Sequence, residues 1–165
     1  MRALPILLLL LTAPIATLPA TALAQGAVAT GPEHASDVLS AAAAHDKAIK
    51  GEIVLVDIRH PDEWKETGVP ASGYAITMHQ KGAEFLKQLS AAVGGDTTKP
   101  IALICATGSR TTYLQGPLKE VGFATVLNVT EGMMGNRIGQ GWLKAGLPIR
   151  KWQPGATAPI EITKP

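Results

Sequence analysis

Apolar runs predict the strands of this chain. Residues 53–58 and 100–105 are nearly continuous runs of apolar, mostly branched side chains. Runs without polar alternation are typical of strands covered on both faces, as in a parallel sheet. Residues 124–129 predict a third clear strand, and residues 74–78 predict a weaker one.

Helical segments separate these predicted strands. In one of them Phe85, Leu86, Leu89 and Val93 fall on one face, and in another the Gly116-Pro117 step predicts a kink or a restart. The predicted helices cover residues 36–50 (with Ser36 as N-cap), 60–68, 83–93, 110–122 and 142–145. This alternation predicts an α/β fold: a doubly wound, mostly parallel sheet flanked by helices and joined by right-handed crossovers.

The first residues have the features of a secretory signal. Arg2 is followed by the apolar run 6–11, and Ala22-Leu23-Ala24 supplies the small residues that a signal peptidase reads. We therefore expect an exported, periplasmic protein that is cleaved after Ala24. The alternative is an uncleaved membrane anchor, because the uncharged stretch is long enough to span a bilayer. The remaining divisions are a linker over 25–35, one domain over 36–150 and an extended tail over 151–165.

Composition excludes several classes of protein. The 165 residues suit one domain, and the formal net charge of +2 is too small for a nucleic-acid binder that uses a basic face. The single Cys excludes an internal disulfide, a CxxC redox pair and a zinc site of several thiolates. We predict no metal and no cofactor, because metal-ligand spacing is missing from the four histidines, which are His34, His45, His60 and His79.

Chemically active residues follow two of the predicted strands. Ligands of open parallel sheets bind beyond the carboxyl ends of the strands. There Asp57 and Arg59 leave one strand, and Cys105 leaves another, followed by small residues and then Arg110. Such a loop can turn its N–H groups inward, where they bind anions and favour a thiolate over a thiol. We predict Cys105 and Arg110 as catalytic, with an anion-binding loop made of Ala106, Thr107, Gly108 and Ser109.

Each of these assignments has a structural alternative. A lone Cys at the end of a strand is often a small buried apolar residue. Asp57 and Arg59 could support the site. Alternatively, they could form a structural ion pair beside it, with Glu63 or Glu66 as candidate partners. For Arg59 we favour the structural role.

The chain resembles the single-domain rhodanese (sulfurtransferase) family over about residues 36 to 150. The segment from Val54 to Trp64 is similar to the family pattern V-D-x-R-x-x-x-E-[YW]. Cys105 to Arg110 is similar to its active loop C-x-x-G-x-R, and the segments 131–133, 141–143 and 146–148 are similar to its closing G, W and G-L-P positions. The family's usual His after the short helix is missing in Thr67-Gly68-Val69-Pro70-Ala71-Ser72.

The resemblance implies a covalent mechanism. Cys105 would take the outer sulfur from a donor such as thiosulfate, carry it as a persulfide held by the loop N–H groups, and pass it to cyanide or a thiol. The expected partners are a small sulfur-containing anion or thiol and a sulfur-accepting protein, with no nucleic acid and no stable membrane association after cleavage. The alternatives are a non-enzymatic persulfide carrier and a phosphatase or arsenate reductase, whose loops are one residue longer.

Overall fold

A parallel sheet forms the centre of the computed structural model, which describes residues 37–159. The strands are β1 (Val38–Leu39), β2 (Val54–Asp57), β3 (Val69–Pro70), β4 (Gly73–Ala75), β5 (Ile101–Ile104), β6 (Val126–Val129) and β7 (Ile149–Arg150). The helices are α1 (Ala41–Ile49), α2 (Pro61–Thr67), α3 (Gly82–Ala92), α4 (Ser109–Glu120) and α5 (Gly141–Lys144). The five-stranded sheet has the order β1-β6-β5-β2-β4, and β3 and β7 form a separate antiparallel pair.

The predicted fold class is confirmed. The three clear apolar runs form β2, β5 and β6 at the middle of the sheet, and their pairings are parallel. The Phe85, Leu89 and Val93 face of α3 packs on one side of the sheet together with α4. On the other side, α1 and α5 bury Ala44 and Trp142. Both faces of the central strands are therefore covered, which explains why their sequences do not alternate.

The first predicted helix begins later than expected. Residues 38–39 form β1, where Val38 is paired with Asn128 and Leu39 with Val129 of β6. The helix starts at Ala41, because the Ser40 side chain accepts a hydrogen bond from the Ala43 N–H at 3.1 Å and so caps it. Ser36, the N-cap that we predicted, lies outside the described residues, as do the signal segment and the linker.

Two further elements differ from the prediction. The strand expected over 74–78 is regular only over β4, although the N–H groups of Ile76 and Met78 still donate to β2 and to Ile58 beyond it. The restart expected at Gly116-Pro117 does not occur, and α4 runs through Pro117 without a break. Proline removes one backbone donor there, and Gly116 has no side chain to collide with the ring.

The chain after β7 lies along the edge of the sheet. Thr157 accepts a hydrogen bond from the Ala75 N–H of β4 at 2.8 Å, and the Trp152 ring centroid lies 5.3 Å from that of Trp64 on α2. Residues 151–159 contain no helix or strand. Within the described range 37–159, no helix is long and apolar enough to cross a membrane.

A buried ion pair joins β2 to the segment around α2. The Arg59 guanidinium donates to both carboxylate oxygens of Asp57, at 2.7 to 3.1 Å, and also to Thr67 Oγ1 and Gly68 O. Asp57 and Arg59 are almost completely buried. Because each charge is paired and hydrogen-bonded, the pair can be held inside the domain, where it fixes the path of the chain from β2 to β3.

Candidate active site

Cys105 lies directly after β5, at the carboxyl edge of the sheet. The next residues turn sharply, and Gly108 takes the left-handed conformation (φ 91°) immediately before α4 begins. This turn brings the Gly108 N–H to 3.2 Å from Cys105 Sγ. The loop thus folds back over its own sulfur, with the Gly108 amide facing it.

A second segment determines which way the peptides of this loop point. The N–H groups of Met133 and Met134 donate to the carbonyl oxygens of Cys105 and Ala106 at 2.8 and 2.9 Å. The Asn136 side chain donates to Thr107 O at 2.9 Å. In a trans peptide the N–H points opposite to the C=O. Since these carbonyls face the segment 133–136, the N–H groups of residues 106–108 are turned away from it.

Two glycines make this contact between backbones possible. Gly132 has a φ of 64°, and a Cβ on it would collide with the carbonyl of Ala106 and the nitrogen of Thr107. A Cβ on Gly108 would likewise collide with the carbonyl of Thr130. The left-handed conformation and the close approach both exclude larger residues at these positions.

Arg110 is held by an acidic residue of α2. Its Nη1 and Nη2 donate to the Glu63 carboxylate at 2.7 Å each, and Nη1 also lies 3.3 Å from His79 Nε2. The Arg110 hydrogen bond lowers the pKa of Glu63 to about 2, and the Glu63 hydrogen bond raises the pKa of Arg110. The negative charge of a Cys105 thiolate would raise the Arg110 pKa further.

This pairing corrects one expectation about the site. Glu63 was proposed as a partner of Arg59, but it binds Arg110, while Arg59 binds Asp57. The positive charge of Arg110 is therefore balanced by a carboxylate. Asp57 is in register with Ile104, next to Cys105 in the chain, and it is paired with Arg59 inside the domain.

Cys105 is completely buried. Its sulfur lies beneath the loop. The loop is built from small residues, of which Ala106 and Thr107 are partly or fully exposed to solvent. The sulfur itself is therefore closed off from solvent in this structure.

The sequence interpretation missed a polar network below the loop. Thr111 Oγ1 lies 3.8 Å from Cys105 Sγ, 2.7 Å from Gly108 O and 2.5 Å from Asn128 Oδ1. Asn128 also donates to Thr112 Oγ1 at 2.7 Å. Asn128 is almost fully buried in β6, and an amide within an otherwise apolar run was the signal that could have revealed this network.

The histidines of the described residues do not form a metal centre. His60 caps α2, and its ring meets the His79 ring edge-on at a centroid distance of 5.6 Å. In the part of the chain that the structure describes, no three His, Cys, Asp or Glu side chains are grouped so that they could hold a metal ion.

Comparison with protein families identifies this arrangement. Residues 40–136 match the Rhodanese-like domain family. The chain belongs to this family. The match includes the Cys105 loop, the part of α2 that carries Glu63, and the segment 133–136 that orients the loop peptides.

Curated relatives match more than half of this chain. "Uncharacterized protein RP600" of Rickettsia prowazekii is 25% identical over 103 residues, which are 60% of this chain and 81% of that protein. "Uncharacterized protein RC0915" of Rickettsia conorii is 25% identical over 115 residues, 67% of this chain and 91% of that protein.

Two solved structures share the fold. The polysulfide-sulfur transferase homodimer from Wolinella succinogenes matches with a TM-score of 0.54 and 28% identity, covering 72% of this chain and 80% of that chain. Rv0390 from M. tuberculosis matches with a TM-score of 0.53 and 24% identity, covering 70% and 97% of the two chains.

Replacing Gly132 should disturb the active loop. In Gly132→Ala the new methyl group collides with the loop backbone, so we expect a loss of about 2 kcal/mol or more in the free energy of unfolding, measured with urea. Gly146→Ala is the matched control, because Gly146 has nearly the same φ, 66°, and its Cβ would meet nothing within 4 Å. An equal loss in both variants would show that backbone strain alone, and not the contact with the loop, explains the effect.

The Glu63–Arg110 pair should make the free energy of unfolding depend on pH in the acid range. The pKa of Glu63 is about 2 in the folded chain and 4.5 as its ordinary value, so its contribution is complete above pH 4.5 and is lost as the pH falls towards 2. We expect the unfolding free energy of the wild type to fall more steeply than that of Glu63→Gln between these pH values. Parallel curves in urea titrations would contradict this expectation.

Proposed function

We propose that this chain is a sulfurtransferase that carries sulfur as a persulfide on Cys105. The observation that supports this most directly is the Gly108 N–H at 3.2 Å from Cys105 Sγ, in a loop whose other amides are oriented by the segment 133–136. Backbone N–H groups and the start of a helix stabilise negative charge on sulfur without supplying a proton. Both the thiolate and the persulfide anion need this environment.

The reaction has two half-reactions. In the first, the Cys105 thiolate attacks the outer sulfur of a donor such as thiosulfate. The new S–S bond forms as the donor's S–S bond breaks, and sulfite leaves with the electron pair. In the second, a thiolate or cyanide attacks the outer sulfur of the persulfide, and the electron pair returns to Cys105 Sγ. The loop amides stabilise the charge on sulfur in both halves.

The charges near the loop indicate the class of donor. Residues 106–109 carry no charge, and Arg110 is neutralised by Glu63. The loop therefore offers amides and no unpaired side-chain cation to bind a sulfonate, which favours sulfane donors without a sulfonate group, such as polysulfides and organic persulfides. The similarity to a polysulfide-sulfur transferase supports the same class. Thiosulfate, with its charged sulfonate, is expected to be the poorer donor.

Loading of one sulfur atom tests this function. We expect incubation with polysulfide or thiosulfate, followed by intact-mass measurement, to add the mass of one sulfur to the wild type and none to Cys105→Ser. Since Cys105 is the only Cys, no second thiol complicates the reading. Absence of an adduct with every donor, or an adduct that survives Cys105→Ser, would overturn the proposal.

The burial of Cys105 favours a second candidate, a persulfide carrier that serves one partner protein. A fully covered sulfur reacts slowly with small molecules unless something displaces the loop, and a docked acceptor protein could do so. Repeated turnover of thiosulfate and cyanide would exclude a pure carrier. A single loading event with release only to a protein thiol would support it.

We also propose that the protein is exported and cleaved after Ala24. The basic start, the apolar run and the Ala22-Leu23-Ala24 site support this. In that compartment the acceptor would be an exported thiol or sulfur-accepting protein. An intact mass of the exported protein that begins at Met1 would contradict cleavage.

A further inference from the structure

We propose that the Thr111 hydroxyl is a transferable hydrogen-bond donor that stabilises the Cys105 thiolate. Thr111 Oγ1 lies 3.8 Å from Cys105 Sγ, and the two side chains are completely buried. A threonine hydroxyl thus lies within hydrogen-bonding reach of the sulfur and is closed off from solvent. This inference deepens the proposed function, because it concerns the same sulfur.

The Thr111 hydroxyl has one proton and more than one acceptor within reach. Gly108 O lies 2.7 Å from its oxygen and Asn128 Oδ1 lies 2.5 Å from it. A hydroxyl donates one hydrogen bond at a time. Only one of these two oxygens can therefore accept the Thr111 hydrogen bond at a given moment. Which acceptor the hydroxyl uses can change with the charge on neighbouring atoms.

Gly108 O does not depend on Thr111. It also accepts from the Thr112 N–H at 3.1 Å and from Thr112 Oγ1 at 2.9 Å, and Asn128 Nδ2 lies 3.4 Å from it. A carbonyl oxygen has two lone pairs, which the two Thr112 groups already fill. The Thr111 proton can thus turn away from this carbonyl and leave no buried acceptor without a partner there.

The sulfur becomes the better acceptor when it is ionised. Hydrogen bonds to a charged acceptor are roughly twice as strong as those between neutral groups. Rotation about the Cβ–Oγ bond brings the proton to the thiolate, and the heavy atoms need only a small approach. Together with the Gly108 N–H, this gives the thiolate two donors from opposite sides. The same bond forms when the persulfide gives up its outer sulfur and the thiolate returns.

The charged and titratable groups near the loop are not altered by the variants that test this hydrogen bond. Arg110 of α4 bonds to Glu63 of α2 and lies 3.3 Å from His79, which follows β4. They are unchanged in the variants below.

Spectrophotometric titration of the thiolate tests the inference on the full chain. Thiolate formation is followed by its ultraviolet absorbance, with Cys105→Ser as the blank, so a buried sulfur needs no reagent. In Thr111→Val the hydroxyl is lost at constant shape, and we expect the pH midpoint to rise by about one unit. Thr111→Ser, which keeps the hydroxyl, should restore the wild-type midpoint.

Asn128→Leu gives a prediction of opposite sign. It removes a competing acceptor of similar size, so the Thr111 proton is freer to reach the sulfur, and the midpoint should stay in place or fall. If Thr111→Val does not fold, Asn128→Leu alone tests the inference. A pH midpoint of thiolate formation in Asn128→Leu above that of the wild type then overturns it. An unchanged midpoint in folded Thr111→Val, or an equal rise in both variants, also overturns it.

Thr112→Val is the matched control. It removes a hydroxyl that donates to the same Gly108 carbonyl and leaves the Thr111 hydroxyl in place, so any rise in the midpoint should be smaller than in Thr111→Val. An equal rise in this variant would mean that the network acts only by holding the loop, against our inference. The titration does not depend on sulfur transfer, so its failure is distinguishable from failure of the mass-adduct experiment.

Discussion

The orientation of the peptides after Cys105 determines the chemistry of this domain. Three carbonyl oxygens, those of Cys105, Ala106 and Thr107, accept hydrogen bonds from the segment 133–136. Because a peptide's two polar groups point in opposite directions, satisfying the carbonyls on one side commits the amides to the other. The orientation of the amides beside the sulfur is thus set by a neighbouring segment of the chain. Gly132, immediately before this segment, has no room for a Cβ against the loop backbone.

The second constraint is the pairing of arginines with carboxylates. Arg59 with Asp57 fixes the exit from β2, and Arg110 with Glu63 joins the first turn of α4 to α2. Glu63 also accepts a hydrogen bond from the His60 N–H, so the cap of α2 and the active loop share one carboxylate. The two helices beside the site are therefore held at a fixed separation by a side-chain bridge rather than by apolar packing alone.

The sequence predicted the fold better than it predicted the site. Continuous apolar runs identified β2, β5 and β6, because a strand covered on both faces leaves a pattern that survives without structural context. β1 was missed, since two residues are too short to show a period and pair only because β6 is already in place. The partner of Arg110 could not be predicted, because Glu63 is 47 positions away from Arg110 in the chain. In the sequence Glu63 is much closer to Arg59, which therefore looked like its partner. Thr111 was overlooked because its role depends on the turn at Gly108.

The path of the chain after β7 has a consequence for self-association. β4 is the last strand of the sheet, and its outward amide at Ala75 is occupied by Thr157, while Arg150 reaches the carbonyl of Gly73. Open strand edges recruit strands from other molecules and seed aggregation. Without Thr157 the Ala75 amide would be open, so the described residues after β7 act as a built-in barrier that keeps neighbouring molecules from extending the sheet.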